Sequence, residues 1–184
     1  MCKTKPILIN IYGAPGAGKS TLAAKIFSTL KENNIECELV TEFAKDMVWE
    51  RADVFNNQVF IFGNQFRRIE RLIGFVDIII TDSPIDIAKV YVNDSIPYKK
   101  SILNLIDDVD IKFINENFDR YDVLLNFDTK YSEIGRNQTS TEALSLRKRF
   151  LELREYDDII YNKDSIEIFV KNLVETVVSK VIGE

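Results

Sequence analysis

Histidine is absent from this chain of 184 residues, and cysteine occurs only twice, at Cys2 and Cys37. Without an imidazole, histidine-based nucleophilic triads are excluded. Zinc chemistry is excluded with them, because two scattered cysteines make no ligand cluster. Any general base must then be a carboxylate or a less usual group. Two cysteines of this kind suit reduced thiols better than a disulfide. Long apolar runs are missing as well: none approaches the ~20 residues of a bilayer span. Met1 to Pro6 is a polar lead-in without a signal-peptide core. These absences point to a cytoplasmic protein, of a bacterium or in the host of a virus, with no membrane partner. A surplus of positive charge is also lacking. The net charge is −5 and the pI about 5.0, so the molecule as a whole is not built to coat nucleic acid, although a local basic patch stays open.

What is present is an ordinary globular composition, 46% hydrophobic and 29% charged. No repeat, low-complexity tract or linker divides the chain. Residues 1–184 are therefore expected to form one domain that buries roughly 70% of its unfolded surface.

The chain is organised around Gly13-Ala14-Pro15-Gly16-Ala17-Gly18-Lys19-Ser20, a complete G-x-x-x-x-G-K-[ST] loop followed by Thr21. Before it runs the apolar segment Ile7–Tyr12, of strand length, and after it Lys19–Glu32 reads as a helix. That context is what the motif requires. Glycines let the backbone curl so that successive N–H groups point at phosphate oxygens. The helix start adds unpaired N–H groups and partial positive charge. Lys19 is placed for the β- and γ-phosphates, and the Ser20 hydroxyl for Mg²⁺. The expected ligands are a nucleoside triphosphate and Mg²⁺.

Further strands are expected at Glu36–Val40, Phe75–Asp82, Tyr121–Phe127 and Ile159–Tyr161. Asn33-Asn34 would make the turn before the second strand, and Thr41 would cap a helix after it. Helices are expected over Val54–Ile73, where apolar residues recur every three or four positions, and over Ser101–Asn117, Ser140–Arg154 and Ile166–Ile182. Strands alternating with helices give an α/β fold with a parallel sheet covered on both faces.

Such sheets bind ligands at the carboxyl ends of their strands, where this chain places Glu42, Asp82 and Asp128. Asp82 ends an apolar run, as a metal-holding acid does, and can serve Mg²⁺ or take a proton from an attacking hydroxyl. Asp-Ser-Pro is also a good helix start. Glu42 is a second candidate base, or an ordinary acid in a first helical turn. Gln58, Gln65 and Arg68 share one helical face; amides can pair with a nucleobase edge and Arg with a phosphate, so they are candidate substrate contacts. A lid of about residues 130–140 would bring Arg136 to the transferring phosphoryl group. Arg147, Lys148, Arg149 and Arg154 are expected to pair with Glu142, Glu152 and Glu155 along a helix surface. The aromatics Phe43, Trp49, Phe55, Phe60, Phe62, Phe66, Tyr91 and Tyr98 are expected mostly in the core.

With these residues laid out, the chain resembles the small P-loop kinases of the nucleoside and nucleotide kinase group. Within it, the chain looks most like a family common in bacteriophage genomes that carries the AAA label, similar to the kinase domain of bacterial nicotinamide riboside kinases. The local matches are the glycine loop, Val40-Thr41-Glu42-Phe43-Ala44-Lys45-Asp46, Gly63-Asn64-Gln65 with Arg68, Ile80-Thr81-Asp82-Ser83-Pro84, and Gly135-Arg136-Asn137-Gln138-Thr139. The resemblance implies a five-stranded sheet in the order 2-3-1-4-5, a lid after the fourth strand, and ATP·Mg²⁺ as phosphoryl donor. It also implies an acid after the second strand as base, matched by Glu42, and a helix glutamine reading a nucleobase, matched by Gln58 or Gln65. The acid-Arg-Ser element usual after the third strand of deoxynucleoside kinases is not present, since Ser83 and Pro84 follow Asp82.

Two functions follow. The leading one is an ATP-dependent kinase whose acceptor is a hydroxyl of nicotinamide riboside, of a deoxynucleotide, or of a hydroxymethylated pyrimidine within DNA. A small nucleoside-type molecule is the favoured partner. The alternative is an NTP-hydrolysing switch acting on a protein partner; against it, Asn162-Lys163-Asp164 lacks the spacer of a guanine-reading element. Whether Asp82 or Glu42 is the base, and the oligomeric state, stay open at this point.

Overall fold

The computed structural model describes residues 5–55, 57–127 and 140–183, with side chains from 146 onward in the last stretch. Cys2, Asp128 and the expected lid with Arg136 lie outside the described residues.

The first strand, β1 (Ile7–Gly13), is buried along its whole length, which marks it as the centre of a parallel sheet covered on both faces. Helix α1 (Lys19–Glu32) follows the glycine loop. A turn through Asn34 at φ 58° then leads to β2 (Cys37–Val40). Two helices come next, α2 (Phe43–Trp49) and α3 (Gln58–Glu70), then β3 (Ile78–Thr81). A 3₁₀ turn at Ile85–Ile87 runs into α4 (Ala88–Tyr91). After Pro97, α5 (Lys99–Asp107) continues as a π-helix (Asp108–Ile114) and a last turn, α6 (Asn115–Asn117). The chain closes with β4 (Asp119–Leu125), α7 (Ser140–Leu153), β5 (Asp158–Ile160), a 3₁₀ turn at Lys163–Ser165, and α8 (Ile166–Ile182). The strands form one sheet in the order β2-β3-β1-β4-β5, parallel at every pairing. This is the sheet order expected above.

Alternation along β1 divides the core. Ile7, Ile9 and Ile11 pack with Leu22, Ile26 and Leu30 of α1 and with Leu173, Val174 and Val177 of α8. Leu8 faces the other way, toward Phe62 and Ile69 of α3 and Ile102 and Ile106 of α5. Tyr12 sits with Leu124 and with Leu146 and Phe150 of α7.

Several boundaries differ from expectation for local reasons. Helix α3 starts at Gln58 and not at Val54 because the Asn57 side chain caps it, accepting from the Phe60 N–H at 3.1 Å. Thr41 is not the cap of α2; Glu42 holds that position and makes no side-chain cap bond. Trp49, Phe60 and Tyr98 are 59%, 39% and 37% exposed, so these three aromatics are not core.

Candidate active site

The glycine loop joins the end of β1 to the start of α1 at the centre of the sheet. Gly13 has φ 146°, and a Cβ there would stand 3.0 Å from the Leu125 carbonyl oxygen of the neighbouring strand. The loop leaves the sheet at a point that only glycine fits. Gly18, at φ 94° and ψ 16°, is the N-cap of α1 and turns the chain into the helix. A bond from the Ala17 N–H to the Ala14 carbonyl, at 3.0 Å, tightens the loop between them. The Lys19 ammonium lies across the loop, donating to the Gly13 carbonyl at 2.9 Å and the Ala14 carbonyl at 3.4 Å. A concave nest of backbone beside a helix start, with a lysine over it, suits a polyphosphate.

Ser20 and Asp82 meet here. Because β3 is hydrogen-bonded to β1, their carboxyl ends lie side by side, and the Ser20 hydroxyl donates to Asp82 Oδ2 at 2.5 Å. Asp82 is 4% exposed, and its Oδ1 has no hydrogen-bond partner among the described residues. Asp82 is not a helix cap: the 3₁₀ turn that follows is entered from Pro84. A buried carboxylate oxygen left open next to a hydroxyl is a donor set of hard oxygens, the kind Mg²⁺ takes alongside phosphate and water.

Glu42 lies two residues past the end of β2, the next strand beyond β3, at the N-cap of α2, and is partly exposed. Two strand spacings separate its strand from β1, roughly 10 Å. The three sequence-predicted residues on α3 serve the same corner. Gln65 is buried, with its Oε1 accepting from the Phe43 N–H at 2.8 Å and its Nε2 donating to the Ser83 carbonyl at 3.0 Å. Gln58 is also buried and donates to the Phe55 carbonyl at 2.7 Å. Arg68 donates to the Thr41 carbonyl at 3.2 Å, pairs with Asp46 and lies over the Phe43 ring. Helical spacing brought the three to one side, but that side faces protein, not open solvent.

Sequence reasoning missed a buried charge network among the described residues. Behind the loop, on the face of β1 that carries Asn10 and Tyr12, three carboxylates surround two guanidiniums. Asn10 donates to Asp122 at 2.7 Å, and the Tyr12 hydroxyl to Asp86 at 2.8 Å. Arg154, expected to pair with surface glutamates, instead reaches inward to Asp86 at 2.8 Å and Asp122 at 2.9 Å. Arg120 pairs with Asp110 at 2.5 Å and Asp122 at 3.4 Å. Asp110 sits on the π-helix, whose wider turn re-aims side chains; it is 7% exposed, whereas Asp108 pairs outward with Lys112. Burial, and then the neighbouring Asp110, push the Asp86 carboxyl above its ordinary range. Burial alone is the leading cause for Asp122, with the two arginines opposing it. The Tyr12 hydroxyl is held well above the usual phenol range by burial and the two aspartates. The available signal was Asn10 and Tyr12 themselves, two polar side chains on one face of an otherwise aliphatic central strand. Cys37 is buried, and burial raises its thiol, so it is an inert part of the core.

On α7, Lys148 pairs with Glu152 at 3.7 Å as expected, whereas Arg147 turns to the end of β4 and donates to Asn126 Oδ1 at 2.7 Å. Asn162 and Lys163 are exposed, and Asn162 caps its own turn. No helix among the described residues is long and apolar enough to cross a membrane.

No family model and no curated protein matches the chain. Solved structures do. A deoxyadenosine kinase from M. mycoides with bound dATP is 16% identical, with a TM-score of 0.51 over 97% of this chain and 99% of that one. The crystal structure of APE1195 is 18% identical over 97% and 98% of the two chains, with a TM-score of 0.47. The sheet order, the loop after β1 and the end-to-end match with the deoxyadenosine kinase together give this chain a nucleoside kinase-like P-loop fold.

Proposed function

We propose that this protein is an ATP-dependent phosphotransferase acting on a hydroxyl of a small nucleoside-type acceptor, with residues 1–184 working as one domain. The observation that carries the reading is the Ser20–Asp82 contact beside the glycine loop, with Oδ1 of the same buried carboxylate open. The match to a nucleoside kinase across both chains supports the acceptor class.

In this reading residues 13–21, from Gly13 to Thr21, bind the triphosphate of ATP, and Lys19 neutralises its outer phosphates. Ser20 and Asp82 would hold Mg²⁺, which supplies charge neutralisation at the β- and γ-phosphates. Asp82 therefore belongs to the donor side. Glu42, one strand further out, orients the acceptor hydroxyl and takes its proton, so the acceptor lies over the carboxyl ends of β2 and β3. Arg68 borders the end of β2 through its bond to the Thr41 carbonyl. Arg136 meets charge that develops in the transition state. The acidic chain suits a free nucleoside or nucleotide better than DNA.

ATP turnover with and without a panel of nucleosides, nucleotides and hydroxymethylated DNA tests this. ADP release that requires a nucleoside-type acceptor supports the kinase. Release that ignores every acceptor and responds to a protein would establish the switch instead.

A further inference from the structure

Gln65 stands where a nucleobase reader is expected, yet its amide is used within the protein. Its Oε1 accepts from the N–H of Phe43, the residue after Glu42, at 2.8 Å. Its Nε2 donates to the carbonyl of Ser83, the residue after Asp82, at 3.0 Å. A longer contact of 3.5 Å reaches the Thr81 hydroxyl, the residue before Asp82, which in turn accepts from the Ser83 N–H at 3.1 Å. One side chain on α3 thus ties together the two acid-bearing strand ends, and it does so at 5% exposure.

We infer that Gln65 is a positioning residue that fixes the spacing between Glu42 and Asp82, and not a reader of the acceptor. The statement rests on the kinase reading above for the roles of those acids. The backbone groups it binds are ones that no strand ladder covers: β2 ends at Val40 and β3 at Thr81. Arg68 holds the first segment at Thr41 and Ser20 the second at Asp82, each on one side alone, whereas Gln65 bonds to both. A glutamine is suited to the task because it presents one acceptor and two donors on a rigid plane. A shift of about 1 Å between groups that must act together costs on the order of 10²-fold in rate.

Gln65→Met keeps the length and removes both bonds, whereas Gln65→Glu keeps the acceptor toward Phe43 and donates to Ser83 only when protonated. The inference predicts that Gln65→Met lowers kcat by about 10²-fold, by the same factor for every nucleoside used, with the KM for ATP little changed. For Gln65→Glu, activity relative to wild type should rise as pH falls, because the introduced carboxyl regains its donor. A changed rank order among acceptors would overturn the inference and make Gln65 a base reader. So would a kcat within about twofold of wild type in the folded variant.

The brace can also be judged without turnover, from the Mg²⁺ dependence of binding a fluorescent ATP analogue. Gln65→Met should need a higher Mg²⁺ concentration, as Asp82 loses its fixed place. An unchanged Mg²⁺ dependence in both variants contradicts the brace. Should the wild type phosphorylate no nucleoside at all, the kinase reading fails while this binding measurement still decides the brace. Circular dichroism establishes that each variant is folded.

Discussion

Replacing Asp82 with asparagine separates its catalytic value from its structural cost. The carboxylate is buried, Ser20 satisfies one oxygen, and the other has no partner among the described residues. A buried acceptor left unsatisfied costs about 1–3 kcal/mol, and a charged one more. Asp82→Asn removes the charge and keeps a partner for the Ser20 hydroxyl, but sets an unpaired amide N–H where the open oxygen stood, so the ligand-free protein gains only the difference, about 1 kcal/mol. For a chain of this size that is a rise in Tm of roughly 2–4 °C. The same change should lower phosphoryl transfer by at least about 10²-fold. It should also remove most of the extra thermal stabilisation that Mg²⁺ gives in the presence of ATP. Thermal unfolding with and without ATP and Mg²⁺, next to a turnover assay, reads all three. A variant that melts at or below the wild-type temperature and keeps its activity would refute both the cost and the role assigned to Asp82.

Lys19→Ala should abolish transfer; retained turnover in that variant would locate the chemistry away from the glycine loop. Arg136→Ala should lower kcat by about 10²-fold or more while ATP affinity changes little, and equal activity would remove it from the transition state. Arg154→Met leaves Asp86 and Asp122 without a main partner, so urea unfolding should show a loss of about 3–5 kcal/mol, and a loss under about 1 kcal/mol would contradict the network's structural role. Asp86 has a native value above its ordinary 3.8, so its folded form holds a proton that the unfolded chain has released. That contribution to stability is present below 3.8 and is lost as pH rises through the native value. Relative to Asp86→Asn, the wild type should therefore lose stability as pH rises above about 4, through the raised native value; parallel curves would show that Asp86 is not perturbed.

What the sequence made legible is what local rules determine. Strand, glycine loop and helix around residues 7–32 follow from one motif in its context, and the boundaries of α1 and α8 agree with those expected. The sheet order followed from resemblance. The placement of Ser20 beside Asp82 could be anticipated because the glycine loop before Ser20 and Asp82 itself both follow carboxyl ends of strands, although adjacency depends on β3 pairing with β1. The inward turn of Gln65 could not, since periodicity shows that residues share a face but not what the face meets. The buried charge network was least legible. Asp86 and Arg154 are 68 positions apart in the chain, and Arg154 lies in a charge-rich stretch that looks like an exposed helix. Only the fold brings it to Tyr12, where three carboxylates outweigh ordinary surface pairing.

The most direct measurement follows the terminal phosphate of labelled ATP. With Mg²⁺ and a panel of nucleosides, the account predicts label in a phosphorylated nucleoside, lost in Lys19→Ala. Label that appears only as inorganic phosphate, with every nucleoside unchanged, would contradict it.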